Sequence, residues 1–374
     1  MREVCALFLK LGVLGFGGPA AHIAMFREEA VSRRKWLSDQ RFMDLVGATS
    51  LIPGPNSTEM AIHLGLERAG WRGLVAAGAL FILPAFLIVT GLAWVYVEFN
   101  ETPALQWALY GIKPVVIAIV VNAIVGLAKT ALGKVWTLVL AVGVLTLYIV
   151  GVNELILLAT GGGIGLLARA REWPGPGGRA LFGLLPLGAM PAALTAASTF
   201  SLGHLFLLFL KIGAVLYGSG YVLLAFMQGD FVDRLGWLTQ QQLLDAVAVG
   251  QMTPGPVFTT ASFVGYILGG WSGAVLATVA IFLPSFVFVA MLNPLVARVR
   301  ADRRASGFLD GVNAAAIALM IGVAATLGRA AIVDVFTGVL AAVSLALVIR
   351  YRTTATWLVP AGAVVGVIYQ VVVQ

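Results

Sequence analysis

The chain has 374 residues, 60% of them hydrophobic and 11% charged, against roughly 45–50% and 25% in soluble domains. With a mean hydropathy of +0.96, no soluble fold of this size could hide its apolar surface, which excludes a cytosolic enzyme, a secreted disulfide scaffold and a disordered regulator. The formal charge of +7 comes from bases in short loops between apolar runs, which signals membrane orientation rather than nucleic-acid binding.

In chain order, the first apolar segment is 4–23. It holds the one cysteine, Cys5, so neither an intrachain disulfide nor a CxxC site is available. Lys10 lies within it, and Gly15-Phe16-Gly17-Gly18-Pro19 and His22 follow. A lysine in a bilayer costs at least ~2.5–3.5 kcal/mol unless it snorkels or pairs. The segment runs straight on into further apolar sequence, so no cleavable signal is expected.

The loop 24–41 is basic, with Arg27, Arg33, Arg34, Lys35 and Arg41. Residues 42–66 contain Asp44, then Pro53-Gly54-Pro55, then Asn56, Ser57, Thr58 and Glu59. Proline removes a helix donor and clashes with the preceding turn. This stretch reads as a re-entrant pair of half-helices, with one kinked span as the alternative. Asp44 stands near the start of the first half-helix, where acid suits the dipole. Apolar segments then follow at 73–97, 104–127, 135–152 and 154–168, the second of them carrying Lys113. Each is near the length that crosses a bilayer. The Gly-, Pro- and Arg-rich stretch from Arg169 to Arg179 opens a linker, 169–200.

The second half repeats the first. At an offset of 201, Lys10 matches Lys211, Gly12 matches Gly213, Gly17 matches Gly218, Trp36 matches Trp237, Asp44 matches Asp245, and Pro53-Gly54-Pro55 matches Pro254-Gly255-Pro256. One residue is then lost, and Gly65, Trp71, Gly73 and Leu83-Pro84 match Gly265, Trp271, Gly273 and Leu283-Pro284. The expected units are a first repeat over 1–168 and a second over 201–374. The second has apolar segments at 203–226, 273–293, 308–327, 335–349 and 355–372, with 243–268 as its broken pair.

Equivalent loops carry opposite charge. The basic loop 24–41 faces 227–242, which holds Arg234 with Asp230 and Asp233. The loop with Glu98 and Glu101 faces one with Arg298, Arg300, Arg303 and Arg304. The positive-inside rule then places the halves in opposite senses across the membrane. If each Pro-Gly-Pro stretch re-enters, each half crosses five times, and 181–200 makes no net crossing. The predicted fold is an all-α integral membrane protein with two homologous halves as an inverted-topology repeat, its helices broken at the GGP and PGP motifs. Such repeats are the architecture of many secondary transporters, with substrate at discontinuous helices near the midplane.

A half-helix that begins after a proline presents free N–H groups and a positive dipole end, which suits an anion. Asn56, Ser57 and Thr58 follow one such break, and Thr259 and Thr260 the other; these hydroxyls suit oxyanion oxygens or, equally, a cap. Lys10 and Lys211, at matched positions, would balance anionic charge. Lys113 faces Asn313, so any role of it is asymmetric. Glu59 has no acidic counterpart and could carry a coupling proton, serve as a cap or pair with Lys10. The histidines His22, His63 and His204 are too scattered for a zinc site, and no GxxxxGK[ST] phosphate loop occurs. Neither a metal nor a cofactor is expected.

The residues Phe16 to His22, the run Pro53 to Ala61, and Gly73 through Leu83-Pro84 together resemble the chromate transporter (CHR) family. The copy from Pro254-Gly255-Pro256 to Leu283-Pro284 fits as well, so the resemblance spans nearly the whole chain, at the two-domain length of long-chain members. It implies efflux of the chromate dianion from the cytoplasm, chromate resistance, sulfate as a competitor, and a multi-pass protein of the bacterial inner membrane. Single-domain members work as oppositely oriented pairs, in keeping with the inversion read from loop charge. The second half departs from the first, with Leu223 or Leu224 opposite His22, and Ala261 or Ser262 opposite Glu59.

The expected function is therefore chromate export by alternating access, driven by the membrane potential, with proton coupling through Glu59 optional. The expected substrate residues are Lys10, Gly17, Gly18, His22, Asn56, Ser57, Thr58, Lys211, Gly218, Ser219, Thr259 and Thr260. The expected structural breaks are Pro19, Pro53, Gly54, Pro55, Pro254, Gly255 and Pro256. The expected partners are chromate and the lipid bilayer, with no nucleic acid, and a homodimer is left open. The rivals are a transporter of sulfate or another tetrahedral oxyanion, an anion channel, and a membrane oxidoreductase. The last needs a redox group, for which one cysteine and no haem or flavin motif give no basis.

Overall fold

The computed structural model describes residues 1–16, 18–99, 101–170, 199–217, 220–292, 303–351 and 353–373. Among them there is no strand. The first half consists of α1 (Arg2–Leu14), α2 (Gly18–Arg27) with a π-helical turn (Glu28–Arg33), α3 (Asp39–Thr49), α4 (Asn56–Phe99), α5 (Pro103–Ala131), α6 (Val135–Ile149) and α7 (Glu154–Ala170). The second consists of α8 (Leu202–Val215), a 3-10 turn (Gly220–Val222), α9 (Leu223–Met227) with a π-helical turn (Gln228–Arg234), and α10 (Gln240–Met252). It continues with a 3-10 turn (Val257–Thr259), α11 (Thr260–Leu292), α12 (Arg303–Ala331), α13 (Val335–Tyr351) and α14 (Ala355–Val373). Five helical stretches, Asn56–Phe99, Pro103–Ala131, Val257–Met291, Ser306–Ala331 and Ala355–Val373, are long and apolar enough to cross a membrane.

The first apolar segment of each half is not a span. α1 ends at Leu14, the chain turns, and α2 runs back beside it. Phe8 and Phe26 meet at 6.0 Å between ring centroids, and Lys10 reaches Glu29 at 3.0 Å. In the second half Phe209 meets Phe231 at 5.0 Å, and His204 meets Trp237 at 5.1 Å. Segments 4–23 and 203–226 are therefore arms of helical hairpins, which corrects the expected count of five crossings per half. Among the described residues, the returning arm of α4 with α5, α6 and α7, and the returning arm of α11 with α12, α13 and α14, remain outside the hairpins, α6, α7 and α13 being the shorter ones. The error has a plain cause: a hairpin buried among protein helices needs the same apolar composition as a span.

A second hairpin follows in each half. Ser38 caps α3 by accepting from the Arg41 N–H at 3.2 Å. Thr239 and Gln242 form a reciprocal capping box at the start of α10. Arg41 pairs with Glu67, so α3 and the first arm of α4 lie side by side with Pro53-Gly54-Pro55 at their tip. This is the re-entrant arrangement expected there. The helix then bends back sharply at Ala69–Gly70, where Gly70 has φ +60° and ψ −150°; Gly269–Gly270 repeats the geometry. A Cβ on Gly65 or Gly73 would collide with the backbone of the other, and Gly265 and Gly273 are related in the same way. Only glycine permits so close a return.

The halves are inverted. A Cβ on Gly78 would strike the ring of Phe286, and Leu74 shares a buried cluster with Val289. Leu74 lies near the start of the returning arm of α4, and Val289 near the end of the corresponding arm of α11. The two arms therefore run antiparallel. The remaining helices interlock by exchange. Gly111 of α5 packs against Gly362 and Gly366 of α14, while its counterpart Gly311 of α12 packs against Gly161 and Gly165 of α7. Small residues let these backbones approach closely, as membrane helix interfaces require. The linker residues 171–198, and with them nearly all of the stretch 181–200, lie outside the described residues.

Candidate functional site

Four helical hairpin tips meet at the centre of the bundle. The Gly54 N–H donates to the carbonyl of Leu216 at 2.8 Å, and the Gly255 N–H donates to that of Gly15 at 2.8 Å. These bonds are each other's counterparts in the repeat, and each joins a PGP tip of one half to the first hairpin of the other. Gly54 (φ +139°) and Gly255 (φ +92°) hold left-handed backbone that other residues rarely adopt. Helices or turns begin at these tips at Gly18, Asn56, Gly220 and Val257, so several free N–H groups lie there, as anion binding needs.

His22 lies at this junction as expected, but as a brace: its Nε2 meets the Gly15 carbonyl at 2.8 Å, and its ring stands edge-on to Phe81 at 5.3 Å. The oxygen that accepts from Gly255 is thus also the one His22 holds. Glu59 is fully buried. Ser285, from the other half, donates to Glu59 Oε1 at 3.3 Å, while Oε2 meets no hydrogen-bond partner among the described residues. Ser57 and Thr58 are buried in the same turn, and Thr58 Oγ1 also finds no partner there. Thr259 and Thr260 differ. Their hydroxyls donate to the Pro256 and Val257 carbonyls, both at 2.8 Å, so they close their own turn in the manner of a cap. Gly17, Gly218 and Ser219 lie outside the described residues.

The two repeat lysines are both ion-paired. Lys10 meets Glu29 at 3.0 Å, and Lys211 meets Asp230 at 2.5 Å. Both acids belong to the π-helical turns, and Arg234 also reaches Asp230 at 2.5 Å. Sequence reasoning singled out the lysines and passed over these partners. A matched spacing of nineteen residues in both halves was the available signal. Asp245, whose repeat counterpart Asp44 is expected to serve a helix dipole, is buried against Lys113 at 3.2 Å and accepts from the Tyr96 hydroxyl at 3.1 Å. Lys113 and Tyr96 come from the opposite half, which accounts for the asymmetry noted at Asn313.

A cavity of about 540 Å³ opens beside the tips, within the ~300–1,000 Å³ of ordinary ligand sites. Gly18 and Gly255 line it, joined by Asn122, Lys129, Tyr221, Gln251, Thr253 and Val257. Of the expected substrate residues that are described, Gly18 alone is among its walls. The cavity lies toward the end of the bundle that holds the C-terminus of α5 and the α13–α14 connection, Thr353 and Thr354 among its walls. That end also holds the basic hairpin bases with Arg34, Lys35 and Arg68, and is the cytoplasmic end by the positive-inside rule.

The model of the family described as chromate transporter matches residues 2–166 and again 203–367. The chain is 32% identical over 366 residues to the chromate transport protein of Cupriavidus metallidurans, covering 97% of this chain and 91% of that one. It is 32% identical over 349 residues to the probable chromate transport protein of Synechococcus elongatus, covering 92% and 89%. It is 36% identical over 335 residues to the chromate transport protein of Pseudomonas aeruginosa, covering 85% and 79%. No solved structure matches. A polytopic helical bundle of two matched halves, with relatives of this kind along nearly its full length, is a transport protein rather than an enzyme, and the chain belongs to the chromate transporter family.

Proposed function

We propose that this protein exports chromate from the cytoplasm across the inner membrane by alternating access, with residues 1–168 and 201–374 as the opposed repeats. The observation that supports this reading most is the reciprocal pair of backbone hydrogen bonds between opposed hairpin tips, with a cavity reaching them from the basic end. A tetrahedral dianion at the tips would meet the N–H groups of Gly18 and of the turn at Val257. An inside-negative potential supplies about 2.3 kcal/mol per charge per 100 mV, hence about 4.6 for a dianion, so expulsion is favourable without a coupled ion. Glu59, buried between the halves, is positioned to add proton coupling.

Lys10 and Lys211 act in this reading by holding the π-helical turns against the first hairpins, because Glu29 and Asp230 already neutralise them. Sulfate, a tetrahedral dianion of similar size, would compete at the same donors. Radiolabelled chromate flux into inside-out vesicles, at set potential and pH gradient and with excess sulfate, tests the reading. Accumulation driven by an inside-positive potential and partly blocked by sulfate is expected. Sulfate movement without chromate movement would overturn the substrate assignment. Flux that never runs uphill would favour a channel.

A further inference from the structure

Both halves furnish the cavity wall with polar side chains, the second half more of them. Gln251, at the end of α10, lines it, and Tyr221 stands beside Gln251 on the same wall. The Tyr221 hydroxyl donates to Gln251 Oε1 at 3.2 Å. That bond engages the acceptor end of the amide and directs its donor end elsewhere. The donor, Gln251 Nε2, is buried and has no hydrogen-bond partner among the described residues. An unsatisfied buried donor costs about 1–3 kcal/mol, a cost that a bound oxyanion would relieve. Asn122 and the exposed Lys129 lie on the facing wall from α5.

At the repeat offsets the counterparts of Gln251, Tyr221 and Asn122 are Ser50, Ala20 and Gly322. The inverted repeat therefore does not build the same donor set at the other face. None of these residues belongs to the GGP or PGP motifs.

We propose that Gln251, held by Tyr221, is a substrate-contacting residue of the cytoplasmic cavity, donating its side-chain amide to an oxygen of a tetrahedral dianion. Tyr221 is its positioning residue. The assignment deepens the export reading by making the cytoplasmic site the better-furnished one, so the dianion is captured inside and released where the amide has no counterpart.

Chromate flux into inside-out vesicles measures KM from the cytoplasmic face. Gln251→Leu should raise KM about tenfold, the loss of one hydrogen bond to a charged group, with kcat little changed. Tyr221→Phe keeps the ring and loses only the orienting hydroxyl, so KM should rise by a smaller factor. If Gln251→Leu does not reach the membrane, the near-isosteric Gln251→Glu takes its place; its carboxylate would repel the anion and abolish uptake. Wild-type KM in Gln251→Leu, or in Gln251→Glu where that variant is used, overturns the proposal. A merely structural role would lower protein abundance or thermal stability without moving KM. Sulfate binding to the purified protein, followed by tryptophan fluorescence, separates this inference from the export reading. Weakened binding in Gln251→Leu supports the site even if vesicles move no chromate, and unchanged binding refutes it even if they do.

Discussion

The Gly54 N–H and the Leu216 carbonyl, 2.8 Å apart, join the PGP tip of the first half to the first hairpin of the second. The site is closed by backbone at a position where a side chain has no room. A Cβ on Gly54 would collide with the Glu59 carboxyl and the Ser285 hydroxyl, and φ there is +139°. Gly54→Ala should cost about 1–3 kcal/mol in backbone strain alone and abolish flux. Gly255→Ala meets Ala85 at 2.8 Å and should be impaired in the same way. Flux and thermal unfolding of the purified variants check both.

The two repeat lysines should differ in what they stabilise. Lys10 keeps 48% of its side chain exposed and Lys211 only 9%. Exposed pairs contribute about 0–1 kcal/mol, whereas removing one partner of a buried pair costs about 3–5 kcal/mol. Lys211→Ala should therefore lower the unfolding temperature far more than Lys10→Ala. Asp230 keeps Arg234 when Lys211 is removed, so Lys211→Ala should fall at the lower end of that range, and Lys211→Ala with Arg234→Ala, which strands the carboxylate, should cost more than either single change. Equal melting of the two single variants would contradict the pairing.

Inversion can be read by labelling. Ser32 and Asp233 are counterparts at an offset of 201, both exposed, on the two π-helical turns. In a Cys5→Ser background, Ser32→Cys should react with a membrane-impermeant maleimide from the cytoplasmic face and Asp233→Cys from the other. Reaction of both from one face would mean that the halves lie parallel.

Glu59→Gln keeps the shape and the Ser285 contact but cannot exchange a proton. Potential-driven flux should persist in this variant, and any component driven by a pH gradient should vanish. Comparing the two driving forces in the same vesicles decides the matter: a gradient-driven component that survives the substitution removes Glu59 from coupling.

Membrane residence, the duplication and the broken helices were all legible in the amino-acid order. Lipid solvent selects apolar composition directly, and proline and glycine leave their marks wherever the backbone must depart from a helix. Opposite loop charge even foretold the antiparallel halves. What the order could not convey was depth and pairing. A hairpin that turns back at Gly15 and a span that continues have one hydropathy, so only the contacts Phe8–Phe26 and Lys10–Glu29 distinguish them. Lys113 found its carboxylate in the opposite half, a distance along the chain at which neither periodicity nor spacing carries information. The cavity wall at Tyr221 and Gln251 likewise exists only because inverted halves bring four tips together. Sequence determined the solvent and the symmetry of this protein. Tertiary packing decided which polar groups meet, because burying them is tolerable only once their partners arrive from elsewhere in the fold.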